Sequence, residues 1–271
     1  HFCKNPLDVL DYYPLFNEKG EMTEFAEVEA LDEPITDDNE KYCTKKLKIG
    51  AKLSLGEFIK SSFSFIKESC MSDKKAETRK RKNSKLAASG YSSKLAASGD
   101  SSQLAASGDY SQLAASGDSS KLAASGDYSQ LAASGDSSKL AASGYSSKLA
   151  ASGDSSQLAA SGDSSKLAAS GYYSQLAASG DYSKLAASGY SSKLAASGDY
   201  SQLAASGDSS QLAASGDSSQ LELNGKNSVG ANIGKNGRIK GKKGNWIVLA
   251  EYDGKGKPLC VKSAQIDGIK I

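Results

Sequence analysis

The chain has 271 residues, and its 33 Lys and Arg nearly balance 31 Asp and Glu, leaving a net charge of +2. That balance excludes a strong overall attraction to nucleic acid or to an anionic membrane surface. Its four cysteines hold no Cys-x-x-Cys pair and predict reduced thiols, and no apolar run reaches the ~20 residues of a membrane span.

The first 71 residues predict a small α/β head. Asn5-Pro6-Leu7-Asp8 is a helix start, with Asn as N-cap, Pro at the first helical position and an acidic first turn. This helix should end at Tyr12 or Tyr13, ahead of Pro14. Met22 to Leu31 and Tyr42 to Ile49 have strand-like composition. The acidic run between Glu18 and Glu40 reads as a solvated face. Ser54-Leu55-Gly56-Glu57 is a capping-box pattern. It opens a helix through about Glu68, with Leu55, Phe58, Ile59, Phe63 and Ile66 near helical spacing. Residues 72–83 are polar and basic. Without interleaved aromatic residues for base stacking they read as a linker rather than a nucleic-acid patch.

From residue 84 to 224 a nonapeptide repeats. Leucine recurs every nine residues, at Leu86, Leu95, Leu104, Leu113, Leu122, Leu131, Leu140, Leu149, Leu158, Leu167, Leu176, Leu185, Leu194, Leu203, Leu212 and Leu221, inside Gly-(Asp/Tyr)-(Ser/Tyr)-Ser-(Lys/Gln)-Leu-Ala-Ala-Ser. A helix would turn through ~900° per unit and throw successive leucines onto opposite faces, and Gly-Asp would break it repeatedly. Disorder suits the Ser, Gly and Ala content but gives no reason for so strict a register. A strand followed by a turn fits. In Ser111-Gln112-Leu113-Ala114-Ala115-Ser116, alternation sends Ser111, Leu113 and Ala115 inward, and Gln112, Ala114 and Ser116 outward. Gly117 is expected to supply a positive φ, and Asp118 to bond local amides. Two units would make one coil, and coils would stack at ~4.8 Å. No unit is stable alone, because one buried leucine returns about 1.5–3 kcal/mol against about 13 kcal/mol of ordering cost. The predicted fold is therefore mainly β: a β-roll-like solenoid with two nonapeptides per coil, a small α/β N-terminal capping domain and a β C-terminal cap.

After Leu221 the period weakens. Gly225 and Gly234 keep the turn position, while Gly230 and Ile239 take the leucine position. Trp246 to Tyr252 reads as a strand, Asp253-Gly254 as a hairpin turn and Leu259 to Lys262 as its partner, so 225–271 should close the distal edge. The helix Leu55–Ile66 is the expected proximal cap.

Little here supports catalysis. His1 is the only histidine, and His1 with Cys3 lacks further zinc ligands. Calcium rolls need Gly-Gly-x-Gly-x-Asp turns, and each unit here has one Gly. No phosphate loop, Ser/His/Asp set or carboxylate pair is evident, so catalytic residues, metal ligands and cofactor are all expected to be none. The tyrosines at the turns, Tyr91, Tyr110, Tyr128, Tyr145, Tyr172, Tyr173, Tyr182, Tyr190 and Tyr200, would line two rims, either as stacked rings or as a recognition ridge.

The segment His1-Phe2-Cys3-Lys4-Asn5-Pro6-Leu7-Asp8-Val9-Leu10 resembles the Gly-Phe-His-x-Cys-x-Asn-Pro-Leu-Asp-Val head of a family of uncharacterised bacterial and prophage proteins. That family also carries a Gly-Asp-Tyr-Ser-x-Ala-Ala nonapeptide array and a Trp-Ile-Val-Leu-Ala-Glu tail, matched here by Trp246 to Glu251. The resemblance implies strands ahead of the head motif that this chain lacks, and it implies no activity. The leading expectation is a non-enzymatic, phage-associated binding scaffold, cytoplasmic in the host rather than secreted. It would have an unknown protein partner, self-association as an option, and neither nucleic acid nor membrane as ligand. The alternatives are an ice- or crystal-surface binder using a flat Ala/Ser face, and a rod attached to an enzymatic head whose N-terminal part is missing.

Overall fold

The computed structural model describes residues 1–13, 23–36, 41–72, 77–79 and 84–267. Residues 84–252 form a β-solenoid of about nine coils. Each nonapeptide contributes one four-residue strand, such as Gln112–Ala115, and pairs in parallel with the unit eighteen residues away: Leu113 opposite Leu131, Leu131 opposite Leu149. Odd and even units therefore build two separate sheets, and two nonapeptides make one coil. The leucines of both sheets, with the inner alanines such as Ala97, Ala115 and Ala133, form one continuous buried column. Small alanine against leucine lets the sheets approach closely along their whole length.

The buried serine at the start of each strand donates to the turn. Ser120 Oγ donates to the Gly117 carbonyl at 2.7 Å, and the bond recurs from Ser93 to Ser210. No inward hydroxyl in that span is left unsatisfied, as burial requires.

The turn chemistry differs from expectation in two ways. The positive φ falls not on glycine but on the Ser or Tyr two residues later, from Ser92 to Ser218, at 53 to 59°. Glycine is needed instead for close approach: a Cβ on Gly153 would lie 2.2 Å from the Gly135 carbonyl oxygen of the coil before. The aspartate acts between coils rather than locally. Asp136 Oδ1 accepts from the Asp154 N–H at 3.0 Å, so each carboxylate caps the turn stacked on it.

The head opens as expected. The Asn5 side chain accepts from the Leu7 N–H, Pro6–Asp8 form a 3-10 turn, and α1 (Val9–Tyr12) follows. A hairpin pairs Phe25–Ala30 with Leu47–Leu53, and a small sheet joins Phe2–Cys3, Lys41–Cys43 and Ile35–Thr36. The capping box also forms. Ser54 N–H and Oγ both donate to Glu57 at 2.8 Å, and that hydrogen bonding holds the Glu57 carboxyl below its usual range. The helix it opens, α2, runs Leu55–Ser72, a turn beyond the expected end.

The position of α2 is a correction. It does not cap the proximal end but lies along the side of the rod, across six successive strands from Glu77–Arg79 to Lys166–Ala169. Eighteen residues span ~27 Å, and six strands span ~24 Å, so the helix and the rod axis match in length. Within the basic segment, Glu77–Arg79 is a strand, paired in parallel with Leu95–Ala97 as the first rung of the covered sheet. Its neighbours 73–76 and 80–83 lie outside the described residues.

The distal end closes as the sequence suggests. Gly230 and Ile239 stand in register with Leu212 and Leu221. Trp246–Tyr252 adds one more parallel strand and turns back as Pro258–Gln265 in an antiparallel hairpin. Ile247, Leu249, Ala264 and Ile266 plug the end of the leucine column.

Candidate binding face

Alternation leaves three straight rows on the outside of each sheet: Lys or Gln, then Ala, then Ser. The unit is so uniform that the polar rows of the two outer faces have the same composition, and the alanine rows of the array differ only where Glu222 stands in the covered one. One polar row reads Lys94, Gln112, Gln130, Lys148, Lys166, Lys184, Gln202, Gln220; the other reads Lys85, Gln103, Lys121, Lys139, Gln157, Gln175, Lys193, Gln211. Each holds four lysines and four glutamines. Their surroundings are opposite.

The first face is covered by the head. Ala96, Ala114, Ala132, Ala150, Ala168, Ala186 and Ala204 are buried in one cluster with Leu7, Leu10, Phe25, Leu55, Phe58, Ile59 and Ile66. Polar contacts lock the register. Asn5 Nδ2 donates to Gln130 Oε1 at 3.0 Å, and Gln130 Nε2 donates to Asp8 at 3.1 Å. Lys148 Nζ bridges Asp11 at 2.7 Å and Asp8 at 3.4 Å, with its own side chain only 7% exposed. Lys166 Nζ reaches the Leu10 carbonyl at 2.7 Å and Asp11 at 3.1 Å. Burial pushes the Asp11 carboxyl up, but the hydrogen bond from Lys148 and the charges of both lysines outweigh it, and the net shift is downward. Burial pulls the Lys166 ammonium down, and Asp11 restores part of that. The two shifts oppose each other for one ion pair. The 3.1 Å contact and the two lysines around one carboxylate favour the charged pair at neutral pH.

The second face is bare. Its eight Lys and Gln residues, and Ala87, Ala105, Ala123, Ala141, Ala159, Ala177, Ala195 and Ala213, are all exposed. Two shallow apolar troughs flank the alanine row, one on its Lys/Gln side and one on its Ser side. The apolar strip is also longer here. On the covered face Glu222 and Lys240 follow Ala204 in the alanine column, whereas on the bare face Ala213 is followed by Ala231 and Val248.

The tyrosines divide between the rims. Tyr91, Tyr110, Tyr128 and Tyr145 follow one another on one rim at centroid distances of 5.4, 5.0 and 5.9 Å, tilted, stacked and edge to face in turn, and Tyr182 and Tyr200 stack further along it. Tyr172, Tyr173 and Tyr190 occupy the other rim, the last two edge to face at 6.3 Å. All nine are exposed.

The head also contains a hollow between its hairpin and α2, lined by apolar groups including Phe2, Val9, Phe25, Val28, Leu47, Phe58 and Phe65. Cys3 borders it, and burial, with Asp8 adding to it, pushes its thiol up, away from the thiolate that a nucleophile needs. Among the described residues no three His, Cys, Asp or Glu side chains gather as metal ligands, and no helix is long and apolar enough to cross a membrane.

Sequence reasoning found the outward Ala and Ser but missed that one face would be covered and the other left open. No signal in the repeat marked it, because the polar rows of the two faces share one composition and one Gln-Lys-Lys order.

Residues 1–61 match the family model described as a domain of unknown function, DUF7666. The match covers the head and the first part of α2, and the solenoid lies outside it. No curated protein and no solved structure matches the chain.

Proposed function

We propose that this protein is a non-enzymatic scaffold, in a phage or prophage setting, whose bare sheet face receives a partner. The observation that carries this reading is the contrast between two faces of equal composition. One is sealed by the chain's own head, and the other leaves a continuous Ala strip, flanked by Lys/Gln and Ser, in solvent. An apolar strip of this extent on an otherwise polar rod is the kind of surface that marks an interaction site. The tyrosine rim beside its Ser row adds rigid aromatic contact area. The test compares immobilised full chain with its Ala123→Arg/Ala141→Arg variant in lysate of infected cells. Retention of a protein by the first and not the second is expected; identical retention profiles would count against the reading.

A second reading rests on the straightness of the rows. Exposed Ala and Ser at a fixed ~4.8 Å spacing also suit a crystalline surface such as ice. Thermal hysteresis that vanishes in the same Ala→Arg variant would favour it, and normal freezing removes it.

A further inference from the structure

The polar row of the bare face repeats the order of residues that the head uses on the covered one. Asn5, Asp8 and Asp11 are read by Gln130, Lys148 and Lys166, three successive rungs. Gln103, Lys121 and Lys139 present the same Gln-Lys-Lys order on the bare face, running the same way along the rod. Lys148 and Lys166 are held by carboxylates, whereas Lys121 and Lys139 are exposed and have no carboxylate partner among the described residues.

We propose that Gln103, Lys121 and Lys139, with Ala87, Ala105 and Ala123 beside them, dock an acidic amphipathic helix of a partner chain. This rests on the bare face being a binding surface and adds the chemistry of its occupant. Rungs lie ~4.8 Å apart, and three residues of helix rise ~4.5 Å, so carboxylates at i and i+3, like Asp8 and Asp11, fall opposite successive lysines. The Lys and Ala rows lie ~7 Å apart along the strands, within the ~10 Å width of a single helix. Its apolar stripe would sit on the alanines as Leu55, Phe58, Ile59 and Ile66 sit on the covered row. The occupant is not the head of a second copy. Among the described residues, from Lys166 toward the proximal end the covered sheet has six strands under α2, whereas from Lys139 the bare sheet has four. The same head in the same register would overhang by two rungs. Four rungs suit a helix of about 10 residues.

The probe is a synthetic, fluorescently labelled, lactam-stapled peptide of that length. It carries Asp at i and i+3 and a Leu/Phe/Ile stripe, with helicity verified by circular dichroism, and it is titrated into the full chain by anisotropy. Saturable binding is expected. It should weaken at least about tenfold in Lys121→Glu/Lys139→Glu and in Ala105→Arg/Ala123→Arg. A peptide with Lys in place of its two Asp should recover binding to Lys121→Glu/Lys139→Glu. A helical peptide that fails to bind at ~1 mM, or that binds these variants as well as the parent, overturns the proposal. So does a dimer, seen by sedimentation, that Ala123→Arg dissolves, since a second copy would then own the face. If lysate retention responds to Ala123→Arg/Ala141→Arg while the peptide does not bind, the scaffold reading stands and this inference fails alone.

Discussion

A methyl group at Gly153 would lie 2.2 Å from the Gly135 oxygen and 2.4 Å from its carbon, backbone atoms that belong to a ladder and have nowhere to move. Gly153→Ala should therefore cost about 3 kcal/mol or more and broaden the melt, because it parts two coils. Gly90 holds the same place in the repeat, but among the described residues its nearest neighbour would be Ser93 Oγ at 3.7 Å, with no turn stacked before it. Gly90→Ala should stay within about 0.5 kcal/mol of the parent. Denaturant melts of the two variants separate close approach from backbone freedom, because a requirement for positive φ would injure both alike. The sequence shows each glycine inside one unit and not the turn stacked against it, which is why position was legible and reason was not. The strained φ of the Ser and Tyr residues was hidden likewise. Each costs about 1 kcal/mol, and its N–H is satisfied only by the next coil, as where Ser137 donates to the Asp154 carbonyl at 2.7 Å. The degenerate units place Asn227 and Asn236 there, a residue that tolerates this conformation better.

The head elements are short, and their caps were legible because a cap is local chemistry: Asn5-Pro6 and Ser54…Glu57 bond within three residues. Where the helices dock was not legible, because both outer faces offer a polar row of the same composition, each with one Gln-Lys-Lys run. The charged part of the docking runs through the Asp8, Asp11, Lys148 and Lys166 cluster, and that gives it a pH dependence. The carboxyl of Asp11 is held below its unfolded value. Its contribution is therefore complete above the ordinary carboxylate range and is lost as pH falls below about 4. Hydrogen exchange on α2 should accelerate in that window while exchange on strands beyond the head, such as Gln211–Ala214, stays slow. Asp11→Ala should produce the same release at neutral pH. It removes the nearer partner of buried Lys148 and should cost about 2 kcal/mol of docking, less than a fully buried pair because Asp11 is 43% exposed. Equal exchange in parent and variant would mean the apolar cluster alone holds the head.

The solenoid was the most legible feature of the whole molecule, since the nine-residue register permits few alternatives and the outward Lys/Gln position fixes which side of a strand faces solvent. Two units per coil predicts a parity effect. Trp246 is the only tryptophan, so it can serve as a unique donor to an acceptor attached at exposed Lys60 on α2. Inserting a second copy of residues 198–215 after Ser215 adds one coil and should lengthen the separation by up to ~5 Å. Inserting only residues 207–215 adds half a coil, exchanges the two sheets beyond that point, and carries Trp246 to the sheet that bears the head. Energy transfer should then rise, although the chain is longer. A fall in both insertions would refute the two-sheet arrangement.

The final hairpin bears on a hazard common to parallel stacks. An in-register rod with bare ends is a seed for fibre growth, each molecule templating the next end to end. Here the last strand of the open sheet, Pro258–Gln265, runs antiparallel to its neighbour and begins with a residue that has no N–H to donate. An incoming proximal strand such as Lys85–Ala88 would therefore meet a reversed polarity and a missing donor. On this sheet the tail would act as a stop against end-to-end addition of a second rod.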